Sequence, residues 1–154
     1  MAFGSLLKPE AVKVVMSVTS KKRLLQELGD LVHSAYGVHA GLVTEALMAR
    51  EALGPTGVGH GVALPHARLD GIDEVMGVFV LLDKPIDFDA VDRQPVDIAF
   101  GLFAPEEAGV EHLKALALVS RTLRDANVCA KLRANPDAST LYAILNESKP
   151  AKAA

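Results

Sequence analysis

The sequence predicts an α/β or α+β protein, with a single domain in which a sheet is flanked by helices. The chain has 154 residues, and the commonest domain size is roughly 100–150 residues. Half of the residues are apolar, and 16 Lys and Arg nearly balance 19 Asp and Glu, a composition that folds rather than staying disordered. Strand-like and helix-like segments follow in the order β-α-α-β-β-β-α-α-α, which places helices against a sheet.

The N-terminal part of the chain predicts a strand followed by a helix. The β-branched run 11–18, AVKVVMSV, predicts the strand. Either Thr19 or Ser20 can cap a helix that starts at Lys21 and stops at Gly37. Apolar residues recur along this helix with a helical period, at Leu24, Leu28, Leu31, Val32 and Ala35.

A second helix follows and ends at Gly54-Pro55. Its apolar stripe is formed by Val43, Ala46 and Leu47. Arg50 continues this stripe, where an apolar residue is expected. The Arg50 guanidinium therefore either points into the protein or stabilises the helix dipole from the C-terminal end. The helical pattern alone leaves both interpretations open.

The middle of the chain predicts three strands. The glycine-rich stretch PTGVGHGVALP reads as a turn that feeds a short extended run, 62–64. The apolar segments 75–82 and 96–103 are typical of central strands covered on both faces, and Pro85 and Pro95 bound the loop between them. This loop carries four carboxylates, which we interpret as solvated turn residues: Asp83, Asp87, Asp89 and Asp92.

The C-terminal third predicts helices. After Pro105, an acidic first turn with Glu106, Glu107 and Glu111 begins a helix that runs to about Asp125. Apolar residues almost encircle this helix, so we expect it to be largely buried. Two shorter helical stripes follow, at Val128 and Leu132 and at Leu141, Ile144 and Leu145, separated by a capped break. We expect one domain over 1–154, with its core at about 6–147 and a frayed tail at 149–154.

Composition excludes several classes of protein. The net charge of −3 argues against the broad basic surface that binds nucleic acid. The single Cys129 has no cysteine partner for a disulfide or a zinc site, which favours the reducing cytoplasm. No apolar run reaches the ~18–20 residues of a membrane span. The N-terminus lacks the pattern of a secretory signal, so we expect the mature chain to be the whole chain and not to insert into a membrane.

Most catalytic and cofactor motifs are missing. There is no GxxxxGK[ST] nucleotide loop, no HExxH and no GxSxG. His60 and His66 lie six residues apart without a zinc-binding pattern, so we expect neither a metal nor a nucleotide cofactor. Cys129 continues an apolar helical stripe, which indicates a buried hydrophobic residue rather than a nucleophile.

Histidine remains as the candidate for chemistry. His66 directly follows the extended run and Pro65, so it lies at a strand end, where functional groups are commonly carried. His112 shares a helical face with Ala115, Leu116 and Val119, which a packed core histidine also explains. If His66, His112 and Arg50 converge near a helix N-terminus, they form an anion site, because all of them donate to phosphate oxygens.

The residues of this region resemble a known family. The stretch RExLGxTGxGxGxAxPH, from Arg50 to His66, and the later pair Glu111-His112 resemble the IIA proteins of the bacterial phosphotransferase system. Within them the sequence is similar to the fructose/mannitol superfamily, and most closely to its nitrogen-regulatory branch. The resemblance runs from Thr19-Ser20-Lys21-Lys22 through the C-terminal helices. It departs at two positions: His60 replaces the usual Asn of that branch, and Ala67 replaces a common Gly.

The resemblance implies a fold and a set of site residues. The fold is a mixed sheet sandwiched between helices on both faces. His66 is the phosphorylated histidine, modified on Nε2, and Arg50 and His112 flank it as phosphate-binding residues. Thr56 and Gly61 support the same site. No cofactor is needed, because the phosphoryl donor is itself a phosphoprotein, a small carrier of the HPr or NPr type.

Two roles follow from the resemblance. In the regulatory role, signal transduction depends on the phosphorylation state of His66, which decides whether partners such as sensor kinases or potassium-transport components bind. The protein is then a phosphocarrier with a phosphohistidine intermediate, regulatory rather than metabolic. In the alternative role, the chain is a sugar-specific IIA component that passes its phosphoryl group to a IIB domain during fructose- or mannitol-type transport.

Overall fold

A computed structural model of the chain describes residues 2–147. After a short 3₁₀ turn at Phe3–Ser5, the strands are β1 (Leu7–Val15), β2 (Gly57–Gly59), β3 (Val62–Ala63), β4 (His66–Leu69), β5 (Met76–Ile86) and β6 (Val96–Pro105). The helices are α1 (Lys21–Tyr36), α2 (Ala40–Glu51), α3 (Val110–Arg124), α4 (Ala126–Arg133) and α5 (Ala138–Glu147). The predicted frayed tail at 149–154 lies outside the described residues.

The six strands form one mixed sheet, as predicted. Its order is β1-β5-β6-β3-β2, and β4 also pairs with β6. The central pair β5 and β6 is antiparallel, whereas β1 is parallel to β5. Runs of consecutive buried residues in β5 and β6 show that both sheet faces are covered. Helix α1 packs on β1 and β5, and α3 packs on β6.

The short strands β3 and β4 both run parallel to β6 along its outer edge. Val62 pairs with Ile98, and His66 pairs with Leu102. Between them, the Pro65 carbonyl accepts a hydrogen bond from the Leu102 backbone N–H at 2.9 Å. Backbone hydrogen bonds to β6 therefore hold the chain on both sides of Pro65 and position His66 at the start of β4.

The predicted limits of α1 are confirmed. Ser20 is the N-cap, and its side chain accepts a hydrogen bond from the Arg23 backbone N–H. Gly37 ends the helix with φ 76°, a left-handed conformation that glycine adopts without strain. None of the helices within residues 2–147 combines the length and hydropathy needed to cross a membrane.

Several predicted strand limits were wrong. The first strand is Leu7–Val15 rather than 11–18, because backbone pairing with β5 draws in polar residues that strand propensity disfavours. Pro85 lies inside β5, after a shift in register, where its missing N–H is tolerated. Strands β2 and β4 were not predicted, since strands of three and four residues are too short to show periodicity.

The prediction for the long C-terminal helix was wrong in two respects. Helix α3 begins only at Val110, so Glu106 and Glu107 precede it and Glu111 is its first-turn acid. It is also buried on one face rather than all round. Val110 and Leu113 are 63% and 68% exposed. Apolar composition did not reveal that only one face of this helix packs against the protein while the other faces solvent.

The Tyr36 hydroxyl links the end of α1 to the sheet. It lies 2.7 Å from the Gly77 carbonyl, 3.1 Å from the Leu6 carbonyl and 3.2 Å from the Lys8 backbone N–H. Burial raises the pKa of this phenol. One side chain thus connects α1 to both β1 and β5.

We expect Tyr36→Phe to lower the free energy of unfolding by about 1–3 kcal/mol, because it leaves partly buried backbone groups without their partner. Urea unfolding monitored by circular dichroism measures this loss. An unchanged midpoint would show that water replaces the hydroxyl at no cost.

Candidate functional site

The site is built around His66, whose imidazole is half-buried at the start of β4. Its Nδ1 lies 2.8 Å from the Leu64 carbonyl oxygen. A carbonyl only accepts hydrogen bonds, so Nδ1 carries the proton and donates it. In the neutral ring the lone pair is then on Nε2. The local backbone thereby leaves the free lone pair of the ring on Nε2.

His112 packs against His66. The two rings meet edge to face, with centroids 5.9 Å apart and planes at 73°. His112 is only 7% exposed, and its Nε2 has no hydrogen-bond partner within residues 2–147. Burial, and then the neighbouring charges of His66 and Arg68, hold the pKa of His112 below its ordinary value. A neutral imidazole with an unpaired nitrogen thus lies beside the His66 ring.

Arg68 is a site residue that sequence reasoning missed. It lies two positions after His66 on β4, so both side chains are on the same face of the strand. Its guanidinium donates to the carbonyls of Glu106, at 3.1 Å, and of Ala108, in the loop that leads into α3. Arg68 therefore joins the His66 strand to the helix that carries His112. The only signal in the sequence was the spacing of two residues between His66 and Arg68. This spacing places both side chains on one face only if residues 66–69 form a strand.

Arg50 lies on α2, the helix that packs against β4. It is half-buried, and its Nη1 donates to the Gly54 carbonyl at 3.0 Å. Gly54 lies three residues beyond the last residue of α2, so this contact holds the Arg50 guanidinium against the chain that leaves the helix. Within residues 2–147 no hydrogen bond or ion pair joins Arg50 to either site histidine. Its role toward a phosphoryl group stays a prediction.

Thr56 and Gly61 lie at the two ends of the glycine loop, residues 56–61. Thr56 is buried, and its hydroxyl donates to the Glu51 carboxylate. Gly61 has φ 79°, and a Cβ there would lie 2.5 Å from Arg133 Nη2. The left-handed φ favours glycine at this position, and a Cβ would also require the Arg133 side chain to shift. In the structure both residues hold the loop in place, and their contribution to phosphate binding stays a prediction.

His60 is held through its backbone. Its φ is 58°, a left-handed conformation that histidine and asparagine adopt more readily than most residues. Its N–H donates to Asp92 at 2.9 Å, and its carbonyl accepts from Arg133 at 2.9 Å. The His60 N–H, with other backbone donors, lowers the pKa of Asp92. Asp92 is exposed, as predicted for a solvated turn residue. It also anchors the glycine loop, a role that was not predicted.

Ala67, the second departure from the resembled pattern, is buried and pairs with Phe103 on β6. Because side chains alternate along a strand, it points away from the face that carries His66. The backbone bonds of the site therefore do not depend on the side chain of either departing residue.

Cys129 is buried on α4, as predicted. Its Sγ donates to the Leu123 carbonyl at 3.1 Å. Burial raises the pKa of the thiol, which keeps it protonated and unreactive.

The fold and the paired histidines define a class of small mixed-sheet domains whose site is a histidine presented at the start of a strand. A family model described as "Phosphoenolpyruvate-dependent sugar phosphotransferase system, EIIA 2" matches residues 5–148. The chain therefore belongs to the EIIA type 2 family of the phosphotransferase system and, by its similarity to the relatives below, to the nitrogen regulatory IIA proteins.

Three relatives support this assignment. A nitrogen regulatory protein of Bradyrhizobium diazoefficiens is 47% identical over 145 residues, which cover 94% of this chain and 95% of the relative. One from Escherichia coli is 37% identical over 150 residues, covering 97% and 92%. The crystal structure of the nitrogen regulatory protein IIA-Ntr from Neisseria meningitidis superposes with a TM-score of 0.85 at 37% identity, covering 93% of this chain and 98% of that one.

The lowered pKa of His112 predicts a pH-dependent stability. The unfolded chain, with an ordinary histidine pKa of 6.5, binds a proton that the folded chain does not bind until a lower pH. The free energy of unfolding therefore falls as the pH decreases from 6.5 toward the pKa that His112 has in the folded chain. Asparagine does not titrate, so we expect His112→Asn to reduce this loss of stability at acidic pH.

Urea unfolding above and below the ordinary histidine pKa of about 6.5 measures the effect. His39→Asn, which removes an exposed histidine, is the control. Equal pH slopes for the His112→Asn variant and the unsubstituted protein would contradict the assignment.

Proposed function

We propose that this protein accepts a phosphoryl group on His66 Nε2 from a phosphocarrier of the HPr or NPr type. The observation that carries the proposal is the 2.8 Å hydrogen bond from His66 Nδ1 to the Leu64 carbonyl. It leaves the Nε2 lone pair available on a half-buried ring at the protein surface.

The transfer needs only this nitrogen on the accepting side. The Nε2 lone pair attacks the phosphorus of the donor's phosphohistidine, and a new P–N bond forms. The P–N bond of the donor breaks, and its electron pair returns to the donor imidazole. Throughout, the proton stays on His66 Nδ1, which donates a hydrogen bond to the Leu64 carbonyl. Such a reaction depends mainly on positioning and on neutralising the charge of the phosphoryl oxygens.

Three side chains supply these conditions. His112 offers a buried imidazole nitrogen without a partner beside the His66 ring. Arg68 contributes a positive charge on the His66 face of β4, and Arg50 contributes one from the adjacent helix. All are held by surrounding structure, so little reorganisation is needed when the phosphoryl group arrives.

We further propose that the phosphorylation state of His66 regulates the binding of partner proteins, such as sensor kinases or potassium-transport components. A phosphoryl group adds about −1.5 to −2 charges at neutral pH, enough to change the electrostatic character of a small surface. Two relatives that match this chain over nearly their whole length are named nitrogen regulatory proteins. These names favour the regulatory role over sugar transport. The cytoplasm is the expected compartment, since the phosphocarriers of this system act there.

His66→Ala should abolish phosphorylation, because it removes the only nitrogen that Leu64 prepares for attack. The protein is incubated with phosphoenolpyruvate, enzyme I and an HPr-type carrier, and its intact mass is measured. We expect one acid-labile phosphoryl group on the unsubstituted chain and none on the variant. His60→Asn, on the neighbouring loop, is the matched control and should keep the mass gain. A phosphoryl group that persists in His66→Ala would refute the assignment.

Arg50→Ala and Arg68→Ala should each slow phosphorylation in a single turnover. Loss of one preorganised charged donor commonly costs on the order of 10²–10³ in rate. Arg50→Lys should restore the rate only partly, because a point charge does not reproduce the guanidinium fork. Arg121→Ala, at an exposed position in the last turn of α3, is the control. If Arg50→Ala lowers only thermal stability, by about 0.3–1 kcal/mol, its role is confined to the end of α2.

A further inference from the structure

A nearly buried ion pair lies behind the glycine loop, at the junction of two helices. Lys21 is the first residue of α1 and Glu51 the last of α2, and Lys21 Nζ lies 2.7 Å from Glu51 Oε2. The Glu51 side chain is only 6% exposed. Burying a carboxylate costs free energy unless charges and hydrogen bonds compensate it. Its presence at a helix end therefore calls for a role beyond ending the helix.

The Glu51 carboxylate holds the beginning of the glycine loop. Its Oε1 accepts a hydrogen bond from the Thr56 hydroxyl, and its Oε2 accepts one from the Thr56 backbone N–H at 3.3 Å. With Lys21 on Oε2 as well, both oxygens are engaged. Thr56 is thus fixed through its backbone and its side chain, although it belongs to no helix or strand.

Two further hydrogen bonds lead from Thr56 to His66. The Thr56 carbonyl accepts from the Leu64 backbone N–H at 2.9 Å. The Leu64 carbonyl in turn accepts from His66 Nδ1 at 2.8 Å. Leu64 therefore uses one backbone group to bind Thr56 and the other to orient the histidine. An unbroken series of contacts runs from Lys21 and Glu51 to the His66 ring.

We propose that Glu51 is a positioning residue for His66. Through Thr56 and Leu64 it holds the carbonyl that keeps the proton on Nδ1 and leaves Nε2 unprotonated. Lys21 supports it by neutralising the carboxylate. The effect on the His66 tautomer is independent of any phosphoryl donor, whereas the effect on transfer rate rests on the function proposed above.

The test is Glu51→Gln in the full chain. Glutamine keeps the size of the side chain but replaces one acceptor oxygen by an NH₂ donor, where the structure presents three donor groups, from Thr56 and Lys21. The tautomer of His66 is measured by ¹H–¹⁵N correlation of the imidazole nitrogens. We expect the Nδ1–H form to dominate in the unsubstituted protein and the Nε2–H form to become populated in the variant. Phosphorylation should slow roughly 10–100-fold, by analogy with the loss seen when groups that orient a metal-binding histidine are removed.

Two further variants separate positioning from stability. Thr56→Val keeps the branched shape, removes only the hydroxyl, and should shift the tautomer in the same direction by a smaller amount. It also provides the test if Glu51→Gln does not fold. Tyr36→Phe loses a comparable hydroxyl at the other end of α1, and should lower stability without changing the tautomer.

The outcomes decide between the two proposals. If Glu51→Gln and Thr56→Val both keep the tautomer of the unsubstituted protein, or if Tyr36→Phe shifts it equally, Glu51 is not a positioning residue. If the tautomer shifts but the unsubstituted protein takes no phosphoryl group, the positioning role holds and the proposed function fails.

Discussion

The hydrogen bond between His66 Nδ1 and the Leu64 carbonyl determines the chemistry available to this site. Donor and acceptor are two residues apart, so the bond requires a particular path of the chain between them. That path follows β6, which pairs with β3 before the break at Pro65 and with β4 after it. The central sheet thereby places the Leu64 carbonyl so that it orients His66. Many other proteins use a carboxylate to orient a histidine in this way.

The glycine loop is held from three directions. Glu51 binds its first residue from the end of α2, Asp92 binds the His60 N–H from the β5–β6 loop, and Arg133 binds the His60 carbonyl from α4. Glycines offer little side-chain packing and lose much conformational entropy on folding, so such a loop needs polar anchors. The Asp92 and Arg133 anchors contact the backbone of His60, so they do not depend on its side chain.

Much of the fold followed from local sequence. Ser20 and Gly37 bound α1 as predicted, because a cap and a left-handed glycine act within one turn of the helix. The long apolar segments became the central strands. Predictions failed where neighbours decided the outcome: Pro85 is tolerated inside β5 by an irregular register, and β4 exists only through its pairing with β6. Neither effect leaves a periodic signal in the chain itself.

The sequence by itself indicated the family and singled out His66 and His112 as candidate site residues, because these depend on a spaced motif and on residue types. Tertiary structure alone decided which nitrogen of His66 is free, that Arg68 faces the same site, and that Glu51 reaches it through Thr56 and Leu64. The reason is physical: hydrogen-bond geometry and burial depend on elements that are distant along the chain. Tautomer, charge and position are therefore properties of the packed sheet and helices together.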